Sequence, residues 1–139
     1  MMDFLSNVHT LTLTVDESAI DTNGHVNNVA YVQWMQEVAI AHYESLGWAE
    51  ETRDQKATWV ARSHHIEYKR PAFAGDALSI RTWIATMERA TSTRRYEIHR
   101  DDELIAEGKT VWVFIDTTTG RPKRIPEAMK ALVNTSSEK

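Results

Sequence analysis

The stretch from Val29 to Leu46 constrains the fold more than any other part of the chain. Its low-polarity residues (Val29, Ala30, Tyr31, Val32, Trp34, Met35, Val38, Ala39, Ile40, Ala41, Tyr43 and Leu46) occupy most of a helical circumference at about 100° per residue. Gln33, Gln36, Glu37 and Glu44 fall together in a narrow wet stripe. Roughly 18 residues at ~1.5 Å each give a rod of ~27 Å. That approaches a membrane span, but the internal Gln, Glu and His side chains oppose burial in lipid. A soluble sheet wrapped around the helix is the expected solution. Asn27 and Asn28 offer N-caps at its start and Gly47 a C′ stop at its end. Immediately before the caps, Asp21, Asn23 and His25 alternate along a short polar loop, so acid/base and hydrogen-bonding groups gather at the mouth of a buried helix.

The chain of 139 residues has the length of a single domain spanning 1–139, with a core from about residue 8 to 116. With 42% hydrophobic and 26% charged residues it has globular composition. A net charge of −4 argues against a general nucleic-acid binder and leaves room for local basic patches. The absence of cysteine excludes disulfides, Cys-ligated zinc and a Cys nucleophile. The start, Met1-Met2-Asp3-Phe4, lacks the basic segment and apolar core of a secretory signal, so a cytoplasmic location with no membrane partner is expected.

From Val8 to Val15, threonines alternate with Leu11, Leu13 and Val15, the pattern of a strand with one buried face. Ala49 to Ala57 is charged and aperiodic, which predicts a loop over the helix end, a common border for a ligand mouth. Trp59–Tyr68, Leu78–Thr86, Ser92–Arg100 and Leu104–Asp116 read as strands. Turns at Gly75-Asp76, Glu88-Arg89-Ala90 and Asp101-Asp102 suggest an antiparallel meander. Large side chains on both faces, such as Trp83 beside Ile84, leave one face to be covered by something other than the helix, for instance a second subunit. Pro126 fits the first position of a short helix from 127 to 133, and the tail from Asn134 to Lys139 is polar. The element order gives an α+β domain.

Asp21 is the leading candidate for chemistry. A carboxylate before a helix N-terminus can act as nucleophile or general base where unpaired N–H groups stabilise an oxyanion, the pairing that acyl transfer requires. It can equally close the turn of an Asp-Thr-Asn-Gly loop. His25 can polarise an acyl group or protonate a leaving thiolate, or simply anchor the loop. Glu37 is either a second carboxylate near Asp21 or part of a solvated stripe. His64 and His65 point to opposite faces of a strand and cannot share a metal, and His9, His42 and His99 are scattered, so no metal site is expected. Arg62, Lys69, Arg70, Arg94, Arg95, Arg121, Lys123 and Arg124 can hold phosphates, but in alternation with acids they read as a solvated surface. Tyr31 and Trp34 read as core.

These residues carry a resemblance. Asp21-Thr22-Asn23-Gly24-His25-Val26-Asn27-Asn28-Val29-Ala30-Tyr31, then Trp34, Glu37, Ile66-Glu67-Tyr68-Lys69-Arg70-Pro71-Ala72 and Gly75-Asp76, resemble the hotdog-fold acyl thioesterases of the 4-hydroxybenzoyl-CoA thioesterase type. The first segment is also similar to the Asp-x-Asn-x-His-Val-Asn-Asn-Val-x-Tyr pattern of plant acyl-carrier-protein thioesterases. The resemblance implies an antiparallel sheet of five to six strands wrapped around one long central helix. It implies cleavage of acyl-CoA to a carboxylic acid and CoA without metal or cofactor. Asp21 would be nucleophile or base, Asn23 and His25 would position substrate or acid, and a backbone N–H near Asn28 would receive the oxyanion. Tyr31, Glu37 and Arg70 are marked for substrate binding, with Glu37 a reserve carboxylate on the central helix. A homodimer or dimer of dimers with the pantetheine arm between protomers is also implied, and would cover the second sheet face. Where the plant enzymes place an acid and a cysteine, this chain has Pro71 and Ala72, so carrier-protein specificity does not carry over. Hotdog hydratases resemble it less, because Gly24 replaces their proline and the Asp-to-His spacing is one shorter. An acyl-carrier-protein thioesterase and a non-catalytic acyl-thioester or protein-binding module are the remaining alternatives.

Overall fold

A computed structural model describes residues 7–137, with side chains to Val133. The opening Met1–Phe4 and the end of the polar tail lie outside the described residues. Five strands form one antiparallel sheet: β1 (Val8–Thr14), β2 (Ala57–Tyr68), β3 (Ala77–Met87), β4 (Thr91–Arg100) and β5 (Glu103–Asp116). Their spatial order is β1-β3-β4-β5-β2. The meander is therefore β3 to β5, where short turns join neighbours. β2 departs from it, pairing with β5 at the far edge in the register His64↔Thr110 and Ile66↔Gly108.

The long helix α1 (Asn28–Ser45) starts where its caps predict. The Asn27 side chain accepts from the Ala30 amide at 2.9 Å, and Gly47 follows the C-cap Leu46 with φ 75°. Its buried residues are Ala30, Tyr31, Trp34, Met35, Val38, Ala39 and His42, a stripe at helical spacing. This corrects the expected near-complete burial: Val29 is 74% and Ile40 57% exposed, on the same side as Gln33, Gln36, Glu37 and Glu44. About half of the helix is covered by the rest of the chain.

The chain from Trp48 to Asp54 is a second helix, α2, and not the irregular loop that its composition predicts. Two turns are too short for a hydrophobic period to show. Glu50 and Glu51 in the first turn and Arg53 in the last suit the helix dipole, and the Trp48 ring sits edge-on to Tyr43 at 6.1 Å. A last helix, α3 (Glu127–Ser137), runs past the predicted boundary and buries Met129 and Val133.

The main core lies between α1 and the sheet, where Trp34, Met35 and Val38 cluster with Leu78, Ile80, Tyr96, Ile98, Ile105 and Ala106. A second cluster at the other end joins Ala57, Phe114, Ile125 and Met129. The outer face of the sheet is not the apolar surface expected. Arg81, Glu97, Glu107 and Glu67 stand in one cross-strand row, with Arg81–Glu97 at 3.8 Å, while Lys69 reaches Glu107 at 3.2 Å. Trp83, half-buried, stands in register with Arg95. Among the described residues, no helix is long and apolar enough to cross a membrane.

Candidate active site

The loop before α1 is an excursion closed at its base. Ile20 and Val26 form a bridge, the Val26 amide donates to Ala72 O at 2.9 Å, and the Asn27 amide donates to Ala19 O at 2.8 Å. Asn27 also donates its Nδ2 to Ala19 O at 3.0 Å, so the cap residue ties the loop as well as the helix. Inside the excursion, Asp21 Oδ1 accepts from the amides of Asn23 at 2.8 Å and His25 at 3.2 Å. This is the turn-closing role weighed against catalysis, and it occupies one carboxylate oxygen. Asp21 Oδ2 makes no hydrogen bond among the described residues.

At the N-terminus of α1 the Ala30 amide is satisfied by Asn27. The amides of Asn28 and Val29 precede the first intrahelical bond and have no acceptor among the described residues. Asp21, His25, Asn28 and Tyr31 then line one cavity of about 320 Å³, together with Tyr68, Lys69, Arg70 and Pro71 from the end of β2. A carboxylate and an unsatisfied helix N-terminus thus share a small open space.

The other predicted site residues are placed as follows. Asn23 is exposed on the loop, where its amide holds Asp21. The His25 ring rests edge-on against Phe73 at 5.3 Å. Tyr31 is 3% exposed, packed against Trp34 and Tyr68. Burial pushes its phenol up, with Tyr68 adding to the effect. Arg70 is exposed and bound to Glu103 at 2.9 Å. Glu37 is exposed on α1, accepts from Gln33 at 3.3 Å and lies outside this cavity. Nine residues of helix separate it from Asn28, roughly 13 Å along the axis.

Tyr68, Lys69 and Pro71 join the site because β2 ends beside the loop, which a reading of local spacing does not reveal. Arg100 is a further contributor: it donates to Pro71 O at 3.0 Å and to Asp76 at 2.8 Å, so it braces the cavity wall through Pro71. Arg100 and then Arg70 hold the Glu103 carboxyl below its ordinary range. Among the described residues, no group of His, Asp and Glu is placed to hold a metal ion.

A larger cavity of about 650 Å³ lies at the other end of α1, and Arg94 lines it. Arg94 is only 6% exposed, which corrects its reading as a solvated surface charge. The Asp21 cavity is the better candidate for catalysis, because it combines a carboxylate with free amide donors.

Comparison with solved structures supports the same fold. The chain is similar to the protein SAV2348 of Staphylococcus aureus, solved in complex with CoA, at a TM-score of 0.84 and 20% identity, over 94% of this chain and 84% of that one. It is also similar to a DHNA-CoA thioesterase of Staphylococcus aureus (TM-score 0.81, 20% identity, 94% of this chain and 91% of that one). A third similar structure is Slr0204, a 1,4-dihydroxy-2-naphthoyl-CoA thioesterase from Synechocystis (TM-score 0.80, 18% identity, 91% and 96%). No curated protein sequence matches the chain. The sequence profile described as the Thioesterase-like superfamily matches residues 15–133, from before the Asp21 loop into the last helix, and this chain belongs to that family.

Proposed function

We propose that the protein hydrolyses acyl-CoA to a free carboxylic acid and CoA at the cavity lined by Asp21. The observation that carries this reading is the pairing of the Asp21 carboxylate with the unsatisfied amide of Asn28 on one small cavity. A thioester carbonyl over that space would be attacked by Asp21 or by water that Asp21 deprotonates, with its oxygen received by the helix N-terminus. The C–S bond breaks and the thiolate leaves readily, taking a proton from His25 or solvent; where Asp21 itself attacks, water then cleaves the acyl–Asp21 anhydride to release the acid and restore the carboxylate, so no metal or cofactor is required. Asn23 holds the loop, while Tyr31 and Arg70 bind substrate at the rim.

A homodimer is part of the proposal. β2 runs 12 residues along a free sheet edge, and Val60 and Tyr68 on it are 41% and 44% exposed. Such an edge is a template for pairing. A role for Glu37 in substrate binding then requires the partner subunit, because within one protomer the helix holds it away from Asp21.

Thiol release from short, long, branched and aromatic acyl-CoAs, with wild type and Asp21→Asn in parallel, tests the reading. Hydrolysis of one acyl class by wild type and a loss of two or more orders of magnitude in the variant, about 10²–10⁴-fold, is expected. Near-normal turnover by Asp21→Asn would remove Asp21 from the chemistry. Binding of acyl-CoA without thiol release would favour a binding module, and release confined to carrier-protein thioesters would move the substrate class.

A further inference from the structure

The larger cavity, about 650 Å³, lies behind the C-terminal half of α1 and shares no lining residue with the Asp21 cavity. Asn28 at that cavity and His42, the partner of Arg94, stand fourteen positions apart on the helix, roughly 21 Å along its axis. Its volume is that of a small-molecule site. Its walls are mostly aliphatic and aromatic, yet Arg94 stands among them, 6% exposed.

Among the described residues, Arg94 has no acidic partner. Nη1 donates to His42 Nδ1 at 2.9 Å and to Thr82 Oγ1 at 3.1 Å. A guanidinium has no acceptor, so His42 accepts at Nδ1 and is not an anion. Among the described residues, no carboxylate pairs with Arg94, and the hydrogen bonds it makes to them run from Nη1. Leaving a guanidinium so deeply buried with neutral partners alone is unfavourable. Further polar groups line the cavity: Thr52 Oγ1 is buried without a partner, and Tyr43 Oη and Trp59 Nε1 lie near each other outside hydrogen-bond geometry. Each of these groups can donate a hydrogen bond, and none is an anion at neutral pH. An acceptor with one negative charge on an apolar body matches this set. A phosphate brings nearly two charges and three strong acceptor oxygens, which the one buried guanidinium does not balance, the second arginine of the lining, Arg53, being exposed.

We propose that this cavity binds a ligand with an apolar body and a terminal carboxylate, the carboxylate pairing with Arg94. The shared chemistry has two sources, a free carboxylic acid or the distal carboxylate of an acyl group that carries two.

Trp48, Trp59 and Trp112 line the cavity, so intrinsic fluorescence reports occupancy directly. Titration of the full chain with octanoate and with octanol is expected to show saturable binding, with octanoate tighter by about tenfold or more. Arg94→Met should lose that preference and bind both equally. The exchange of a buried, unpaired cation for an apolar side chain of similar length is compatible with folding. The octanoate-to-octanol comparison on the unaltered protein decides the matter even if the variant does not fold. Equal binding of the two ligands by wild type, or undiminished octanoate affinity in a folded Arg94→Met, overturns the proposal.

A second arm compares thiol release from octadecanedioyl-CoA, whose chain is long enough to reach from the Asn28 amide to Arg94, and stearoyl-CoA, and rests on the thioesterase reading. A selective loss of octadecanedioyl turnover in Arg94→Met assigns the distal carboxylate of the substrate. An unchanged ratio, with octanoate affinity reduced, assigns the free acid. Octanoate binding with no thiol release from any member of the acyl-CoA panel would sink the thioesterase reading and leave this site standing.

Discussion

At Asp21 the two carboxylate oxygens are in different situations, and substitutions can separate them. Oδ1 accepts from the amides of Asn23 and His25, while Oδ2 has no partner among the described residues. Asparagine keeps an acceptor for both amides, so Asp21→Asn should melt within about 0.5 kcal/mol of wild type while losing turnover. Alanine removes acceptor and charge together, so Asp21→Ala should lose the same activity and a further ~1 kcal/mol of stability in urea titration. If Asp21→Ala were dead and Asp21→Asn active, the residue would be a turn former alone. Tyr43 allows a pH test. Burial raises its phenol to about 12, and the Trp59 indole N–H, near it but outside hydrogen-bond geometry, opposes the rise. A raised folded-state pKa means that the contribution to stability is full below the unfolded value of about 10 and is lost as pH climbs through 12. Arg94 works in the opposite sense, since burial lowers it from 12.5 to about 10 and stability rises across that window. The difference between wild type and Tyr43→Phe cancels Arg94. Urea midpoints should show Tyr43→Phe at least as stable as wild type at neutral pH, because it deletes an unpartnered buried hydroxyl. Wild type should then lose ground to it from pH 10 to 12. The turn and cap chemistry from Asp21 to Asn28 was legible because it is settled within a few residues of chain.

Elements were legible where their period could be counted. β1, β3, β4 and β5 lie within a residue or two of their alternation, and α1 begins one residue before Val29. α2 was missed because seven residues hold too little periodicity, and its dipole-matched ends read equally well as a charged loop. The packing of α1 on the sheet depends on Gly108, which lies buried in β5 in register with Ile66. A Cβ there would stand 3.0 Å from His65 O and 3.2 Å from Met35 Cε. The methionine tip can yield, but the carbonyl belongs to the β2–β5 ladder. Gly108→Ala should therefore cost about 1–3 kcal/mol, read as a lower midpoint in thermal or urea unfolding. An unchanged midpoint would mean that the ladder relaxes at that point.

For the whole molecule, the free edge of β2 and the exposed Val29 and Ile40 on α1 set the expectation for assembly. Sedimentation should give twice the 15.9 kDa of one chain, and dilution to monomer should lower thiol release. A monomer with full activity would place the complete site in one protomer. The sequence by itself determined the local features: an apolar helix with caps at both ends, alternating strands, tight turns, and a polar loop at the helix mouth. Those follow from backbone preferences and side-chain periods within a few neighbouring residues. Tertiary structure alone decided which strand lies at the edge, which half of α1 is covered, and that Arg94 is buried against His42, 52 positions away in the chain. Pairing and burial depend on partners brought together by folding, and no spacing along the chain records that distance.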